Sequence, residues 1–171
     1  LHGMAVCDPN YSTSTRLLMA MWHLDETQIT DVMQRLCDTW FVRATPHGWT
    51  QQSIMHAYTR MIMQQHNSES HLRNTLHNAF LQILDTCHTQ RTYAEFAQEY
   101  DQCVATILAA QTHDIESAVS LSKALTLYTQ QVGKYWHIHT ITRELLPRVQ
   151  HDDDDELFTQ TYALCAMTAL D

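Results

Sequence analysis

Apolar residues near the start of the chain recur at helical spacing. Leu1–Val6 reads as the end of a buried helix, and Ser12 or Ser14 can cap a short helix that follows. Asp25 precedes a second helix, and Gln28 stands three residues later, as in a capping box. The apolar positions of these two helices are Leu17, Leu18, Met21 and Trp22, then Ile29, Val32, Met33 and Leu36. The pattern predicts two short consecutive helices.

The pattern then changes to short extended runs. Residues 41–44 and 49–55 lie on either side of Thr45-Pro46-His47-Gly48. Two such runs around a Pro/Gly turn predict a β-hairpin. An apolar helix from about His56 to Gln65 follows it. Two helices followed by a hairpin are the outline of a winged helix.

Longer helices are predicted from Ser68 onward. Their spans are 70–85, 93–110, Asp114 to Gly133, Tyr135 to near Pro147, and a last helix that starts in the acidic run 152–156. Asp114 and Asp152 both open helices and lie 38 residues apart. Helix pairs with a period of about 34–40 residues are typical of tetratricopeptide-type α-solenoids. A plain helical bundle is the alternative for the same apolar pattern.

The predicted fold class is therefore mainly α, with a winged helix and one small β-hairpin followed by tetratricopeptide-like helix pairs. The scarcity of Gly and Pro, three of each, agrees with helices joined by short polar links. We predict a winged-helix-like domain over 1–66, a linker helix over 67–92 and helical repeats over 93–171. The chain starts inside an apolar run and stops after an apolar helical pattern, so we expect a portion of a longer protein.

Composition narrows the classes of partner. The formal net charge is −9, and no basic footprint is visible, which disfavours nucleic acid as a partner. No apolar run approaches the roughly 20 residues of a membrane span, and no signal peptide pattern is present, so we expect no membrane partner. The five cysteines are widely spaced without a C-x-x-C pair, which favours a reduced, cytoplasmic protein.

One segment resembles part of a known family. Residues 17–63 read LLMAMWHLDETQITDVMQRLCDTWFVRATPHGWTQQSIMHAYTRMIM. They resemble the winged-helix segment that ends the nucleotide-binding module of STAND-class (NB-ARC-like) signalling ATPases. Leu36 and Phe41-Val42 match the strand entry of that pattern, and Met55-His56 matches its Met-His pair.

A second segment follows in the family's order. Residues 93–150 read YAEFAQEYDQCVATILAAQTHDIESAVSLSKALTLYTQQVGKYWHIHTITRELLPRVQ and resemble the first helical repeats that follow the module in bacterial-type members. The residues in register with the repeat pattern are Glu99, Asp114, Ala118, Leu121 and Gly133. The two matches together cover most of the chain.

The resemblance assigns a role to His56. In the family, the histidine of the Met-His-Asp motif contacts the β-phosphate of bound ADP, so ADP or ATP is implied as a ligand of the parent protein. A helix N-terminus that favours anions agrees with such a contact. This chain departs from the motif at Ala57, where the family has Asp. The alternative for His56 is a hydrogen-bonded structural histidine or cap.

The resemblance implies a regulatory, sensor-proximal portion of a signal-transduction ATPase. Its partners would be an upstream nucleotide-binding domain and a protein or peptide ligand of the repeats. The sequence has no G-x-x-x-x-G-K-[ST] loop, so we expect no ATP hydrolysis by this chain alone and no cofactor of its own. Two alternatives are a stand-alone helical-repeat scaffold and a winged-helix transcription regulator that reads DNA through residues 25–36.

Other constellations predict little chemistry. The spacings of His71 with His77 and of His137 with His139 do not place two imidazoles on one helical face, and the cluster of Asp85, Cys87 and His88 lacks a fourth ligand. We predict no metal site and no catalytic residue, and we assign Glu95 and Glu99 to one exposed or repeat-lining helix face. Aromatic residues that could line a peptide-binding groove are Trp40, Trp49, Tyr93, Tyr100, Tyr128, Tyr135 and Trp136.

Overall fold

The computed structural model describes residues 2–149 and 155–169 of the chain. Its α-helices are α1 (Thr15–Trp22), α2 (Glu26–Asp38), α3 (Ser53–Gln65), α4 (Glu69–Gln90), α5 (Tyr100–Ala110), α6 (Ile115–Val132), α7 (Tyr135–Val149) and α8 (Asp155–Ala169). Strands β1 (Val42–Thr45) and β2 (Gly48–Gln51) form an antiparallel pair, and 3-10 helices cover His2–Val6 and Tyr93–Gln98. The described chain is therefore mainly helical with one small β-hairpin, as predicted.

The first two helices begin at the predicted caps. The Ser14 hydroxyl accepts a hydrogen bond from the Leu17 amide at 3.0 Å. The Asp25 carboxylate accepts from the Gln28 amide at 2.8 Å, and the Gln28 side chain accepts from the Asp25 amide at 3.0 Å. Each bond satisfies a backbone N–H that has no partner within the helix, which explains why the helices begin there.

The hairpin is joined by a third short segment that was not predicted. Thr13 and Trp49 exchange two backbone hydrogen bonds, of 2.8 and 2.9 Å, in an antiparallel bridge. Gly48 makes this approach possible, because a Cβ at this position would lie 2.3 Å from the Thr13 carbonyl oxygen. Its φ of +131° also lies in a region that glycine adopts most easily. The segment before α1 is thus fixed to the hairpin.

Four predicted helix boundaries need correction. The helix predicted over 70–85 runs from Glu69 to Gln90. Leu1–Val6 was expected to end an α-helix, whereas residues 2–6 form a 3-10 helix. The helix predicted from His56 begins at Ser53, because β2 ends at Gln51 and the Gln52 carbonyl accepts the His56 amide at 2.8 Å. The single helix predicted over 93–110 is a 3-10 helix followed by α5. Between them lies Glu99, a buried residue that hydrogen bonds to a distant part of the chain.

The structure groups the described residues into two compact units. One contains residues 2–83 and 97–103, and the other contains residues 84–96, 104–149 and 155–169. The predicted domains were 1–66, 67–92 and 93–171, and their bounds differ from those of the two units. The domain division stays a prediction. The core of the first unit joins α1, α2 and β1 through Met4, Leu18, Ile29, Met33 and Val42.

The second unit contains the long helices. The Asp114 side chain caps α6 by accepting from the Ser117 amide at 3.1 Å, and Gly133 ends the helix in the left-handed conformation, both as predicted. α7 packs against α6 and α8. It continues past Pro147 to Val149, with the proline inside its last turn. Asp152 and most of the acidic run lie outside the described residues.

Candidate functional site

His56 is the fourth residue of α3, which packs against the 3-10 helix His2–Val6. Its side chain is only 8% exposed. The ring Nε2 lies 3.2 Å from the backbone carbonyl oxygen of Cys7. A carbonyl oxygen can only accept, so Nε2 carries the proton and donates it. This hydrogen bond fixes α3 to the segment that enters the first unit.

This geometry allows a direct comparison with a phosphate contact. A phosphate-binding imidazole needs an N–H that faces an open, electropositive space. The Nε2 proton of His56 instead points to a protein carbonyl oxygen inside the unit. Ala57, the next residue, is exposed on α3. The surroundings of His56 therefore suit a structural histidine better than they suit ADP or ATP.

A buried polar cluster lies at the start of α1. The Ser14 hydroxyl donates to the Glu99 carboxylate at 2.7 Å, and both residues are buried. The Gln102 side-chain amide pairs with Asp8, donating to its carbonyl at 3.2 Å and accepting from its amide at 2.6 Å. These bonds attach residues 97–103 to the rest of the first unit. The prediction that Glu99 lies on an exposed or repeat-lining helix face is therefore wrong, because Glu99 is buried and bonded to Ser14.

Two thiols of the same unit are held in their protonated form. Burial raises the pKa of Cys7 to about 12; a hydrogen bond with Thr13 opposes this and the charge of Asp8 adds to it. Burial also raises the pKa of Cys103, and the charge of Glu99 raises it further. Thiolates are the reactive nucleophiles and metal ligands, so neither cysteine is suited to either role at neutral pH.

The histidine and cysteine positions weighed as metal ligands are not brought together. Within the described residues, no group of three or more His, Cys, Asp or Glu side chains could hold a metal ion. His88 uses its Nδ1 in a 2.9 Å contact with the Tyr93 hydroxyl, and Cys87 is buried. His139 Nδ1 lies 4.0 Å from the Cys165 sulfur.

The aromatic residues considered for a groove separate into buried and exposed sets. Tyr128 is buried against Phe96, with ring centroids 4.8 Å apart, and Tyr100 is buried as well. The Trp49 indole donates to the Thr15 hydroxyl at 3.2 Å. Trp40 and Trp136 are exposed, whereas the side chain of Tyr135 lies outside the described part of the chain.

A polar pocket lies where α3 is followed by α4. Its volume is about 350 Å³, and it is lined by Gln64, Asn67, Glu69 and Ser70. The side chains that line it provide amides, a hydroxyl and one carboxylate, and no apolar side chain is among them. Ligand pockets usually combine an apolar lining with a few polar groups, so this pocket has the character of a wet surface recess.

Comparisons of the chain with protein-family models, with curated proteins and with solved structures found no match. Across residues 2–149 and 155–169, none of the helices is both long and apolar enough to cross a membrane.

Proposed function

We propose that the chain is the regulatory, sensor-proximal portion of a STAND-type signal-transduction ATPase. In this proposal, residues 1–66 are a winged helix, and the later helices are tetratricopeptide-like pairs that bind a protein or peptide ligand. The helices transmit the bound state of that ligand to an upstream nucleotide-binding domain by rigid-body motion. The chain itself carries no catalytic step, and it acts in the cytoplasm.

The observation that carries the proposal is the arrangement of the first unit. α1, α2 and the β1–β2 hairpin follow one another in the order of a winged helix. The Thr13–Trp49 bridge holds the segment before α1 against the hairpin, so these elements form one module. This order of helices and strands supports the resemblance of residues 17–63 to a winged helix, independently of which amino acids match the family pattern.

The charge of α2 favours a protein partner over DNA. In a winged-helix transcription regulator this helix would be the reader, and it would need basic side chains for the phosphates. Its exposed charged residues are Glu26, Asp31, Arg35 and Asp38, and Arg35 is paired with Asp31 at 2.9 Å. An acidic helix whose only cation is paired would repel a DNA backbone.

The second unit supports a repeat-like scaffold. α6 ends at Val132, and only Gly133 and Lys134 separate it from α7, which packs back against it. A short connection between packed helices is the geometry of a helical hairpin. Stacked hairpins of this kind present surfaces that bind peptides.

Within this proposal, His56 acts as the hydrogen-bond donor that fixes α3, and nucleotide is bound by the upstream domain. The structural alternative for His56 is supported by its burial and by its bond to the Cys7 carbonyl. The replacement of the family's Asp by Ala57 agrees with this, because the acidic partner of a nucleotide-sensing motif is missing.

Two measurements on the purified chain and the sequence of the upstream reading frame test the proposal. We expect no ATP turnover above a mock preparation, no shift of duplex DNA at low salt, and a G-x-x-x-x-G-K-[ST] loop in the reading frame upstream of Leu1. ATP turnover by the chain or a DNA shift would contradict the proposal. An upstream frame without the loop would favour the stand-alone scaffold instead.

A further inference from the structure

A histidine and a cysteine from two different helices face each other in the second unit. The Nδ1 atom of His139, on α7, lies 4.0 Å from the sulfur of Cys165, on α8. His139 lies ten residues before the end of α7 at Val149, and Cys165 lies ten residues after the start of α8 at Asp155. Residues equally far from the joined ends lie opposite each other in an antiparallel hairpin. The packing of α7 on α8 therefore brings this pair together.

Cys165 differs from the other cysteines in its surroundings. Cys7, Cys87 and Cys103 are buried, and burial raises the pKa of Cys7 to about 12. Cys37 is half-buried and packs against the apolar core of the first unit. Cys165 is also half-buried, but an imidazole lies beside its sulfur. Partial exposure beside a histidine is the usual setting of a reactive thiol.

An imidazole beside a thiol can take its proton. The thiolate is the nucleophilic form of cysteine, and an adjacent general base is one of the arrangements that generate it. Nδ1 of His139 can accept the proton of Cys165 when the ring carries its own hydrogen on Nε2. Such contacts are often long without a bound reactant and shorten when the reactant is present. The pair therefore has the parts of an activated nucleophile.

Two aromatic rings lie on the same strip of α8 as the thiol. Phe158 and Tyr162 are four residues apart, Tyr162 and Cys165 are three apart, and both spacings join neighbours on a helix surface. The ring centroids of Phe158 and Tyr162 lie 6.2 Å apart. Phe158 is half-buried and Tyr162 is 59% exposed. Side chains of a helix lean toward its N-terminus, so the thiol of Cys165 leans toward these rings.

These surroundings select the class of reagent. A compound whose reactive atom reaches the sulfur of Cys165 can lay an apolar chain on Phe158 and Tyr162, which removes that chain from water. An anionic reagent such as oxidised glutathione is disfavoured, because the chain carries a net charge of −9. Addition to a carbon–carbon double bond also needs no oxidant. An apolar, uncharged carbon electrophile fits this site best.

We propose that Cys165 is a covalent modification site for apolar α,β-unsaturated carbonyl compounds, with His139 as its base. The thiol proton moves to Nδ1 of His139, and the sulfur electron pair forms a bond to the β-carbon of the compound. The electrons of the carbon–carbon double bond move to the carbonyl oxygen, which gives an enolate. The imidazolium then gives its proton to the α-carbon, so the product is a saturated thioether and His139 is neutral again. This stoichiometric addition does not depend on the STAND assignment.

The test follows the addition of 3-nonen-2-one to the full chain by intact-protein mass spectrometry, with peptide mapping of the adduct. We expect one adduct per chain, located on Cys165, no adduct on Cys165→Ser, and an unchanged rate in Cys37→Ser. His139→Gln should slow the addition at least about tenfold, because glutamine is not a base. His137→Gln is the matched control and should leave the rate unchanged, since residues two apart point to different sides of a helix.

A second comparison tests the contact with the aromatic rings. Tyr162→Ser should slow the addition of 3-nonen-2-one by about threefold or more and leave that of the shorter 3-penten-2-one unchanged. Circular dichroism checks the fold of each variant, and His139→Asn should slow the addition as His139→Gln does. Preferential addition to Cys37, or addition to both His139 variants at the rate of the unsubstituted chain, would overturn the proposal. Faster attachment of oxidised glutathione than of 3-nonen-2-one to Cys165 would overturn the assigned class and identify a disulfide as the reagent.

Discussion

The hydrogen bond of His56 can be weighed by replacing the imidazole. His56→Ala removes the donor and leaves the buried Cys7 carbonyl without this partner, which costs about 1–3 kcal/mol. The lost ring contacts at a site that is 8% exposed add a cavity cost of similar size. We therefore expect the free energy of unfolding to fall by roughly 2–4 kcal/mol.

Two further variants sharpen this prediction. Glutamine can place its side-chain nitrogen near the position of Nε2, so His56→Gln should recover at least about 1 kcal/mol of the loss. His47 lies exposed in the hairpin turn, so His47→Ala should change stability by less than about 0.5 kcal/mol.

The assay is urea unfolding followed by circular dichroism. With a slope of about 2 kcal/mol per molar urea, a loss of 2–4 kcal/mol moves the midpoint by about 1–2 M. Calorimetric titration of the unsubstituted chain with ADP should show no binding. The reasoning is refuted if His56→Ala unfolds at the parent midpoint, or if the parent chain binds ADP and His56→Ala does not.

Two more predictions concern backbone geometry and alkaline stability. Gly48→Ala should lower the free energy of unfolding by more than about 3 kcal/mol, because its Cβ would lie 2.3 Å from the Thr13 carbonyl oxygen. Gly133→Ala has open space around the Cβ and should lower it by only about 1 kcal/mol. Thermal unfolding measures both. Equal costs at the two glycines would contradict the close approach at the bridge. The pKa of Cys7 rises from 9.0 to about 12 on folding, so the unfolded chain loses this proton first and stability declines from pH 9 to 12 by up to about 1.4 kcal/mol per pH unit. Cys7→Ala should remove this decline of stability with pH, and the control Cys37→Ala, at a half-buried thiol, should keep it. If stability falls equally with pH in the unsubstituted chain and in both variants, the Cys7 thiol is not the source of the decline.

Features that depend on neighbouring residues could be predicted from the sequence. Ser14, Asp25, Asp114 and Gly133 mark helix ends because a side chain or a left-handed backbone satisfies groups only a few residues away. The Pro/Gly turn likewise located the hairpin. These signals are complete within a short window, so no knowledge of tertiary packing is needed to interpret them.

Features that depend on distant residues could not be predicted in this way. The break before α5 accompanies the bond from Ser14 to Glu99, which are 85 positions apart. The environment of His56 is set by Cys7, 49 positions away. The spacing of apolar residues indicates which face of a helix is buried. It does not indicate which distant residue will hydrogen bond to a polar side chain on that face. Ile54, Tyr58 and Met61 of α3 are exposed. Their exposure could not be predicted, because apolar residues at helical spacing are normally assigned to the core.

The grouping of residues 97–103 with the first unit limits how this protein could be rearranged in evolution. A single recombination point between codons 92 and 93 would leave the first unit without Tyr100 and Cys103, both buried, and would separate Ser14 from Glu99. The second unit would in turn receive a segment whose apolar side chains belong elsewhere. A functional exchange of either unit would therefore need several crossovers that keep 97–103 with the first unit. Inheritance of the two units together is the simpler history for such an interleaved chain.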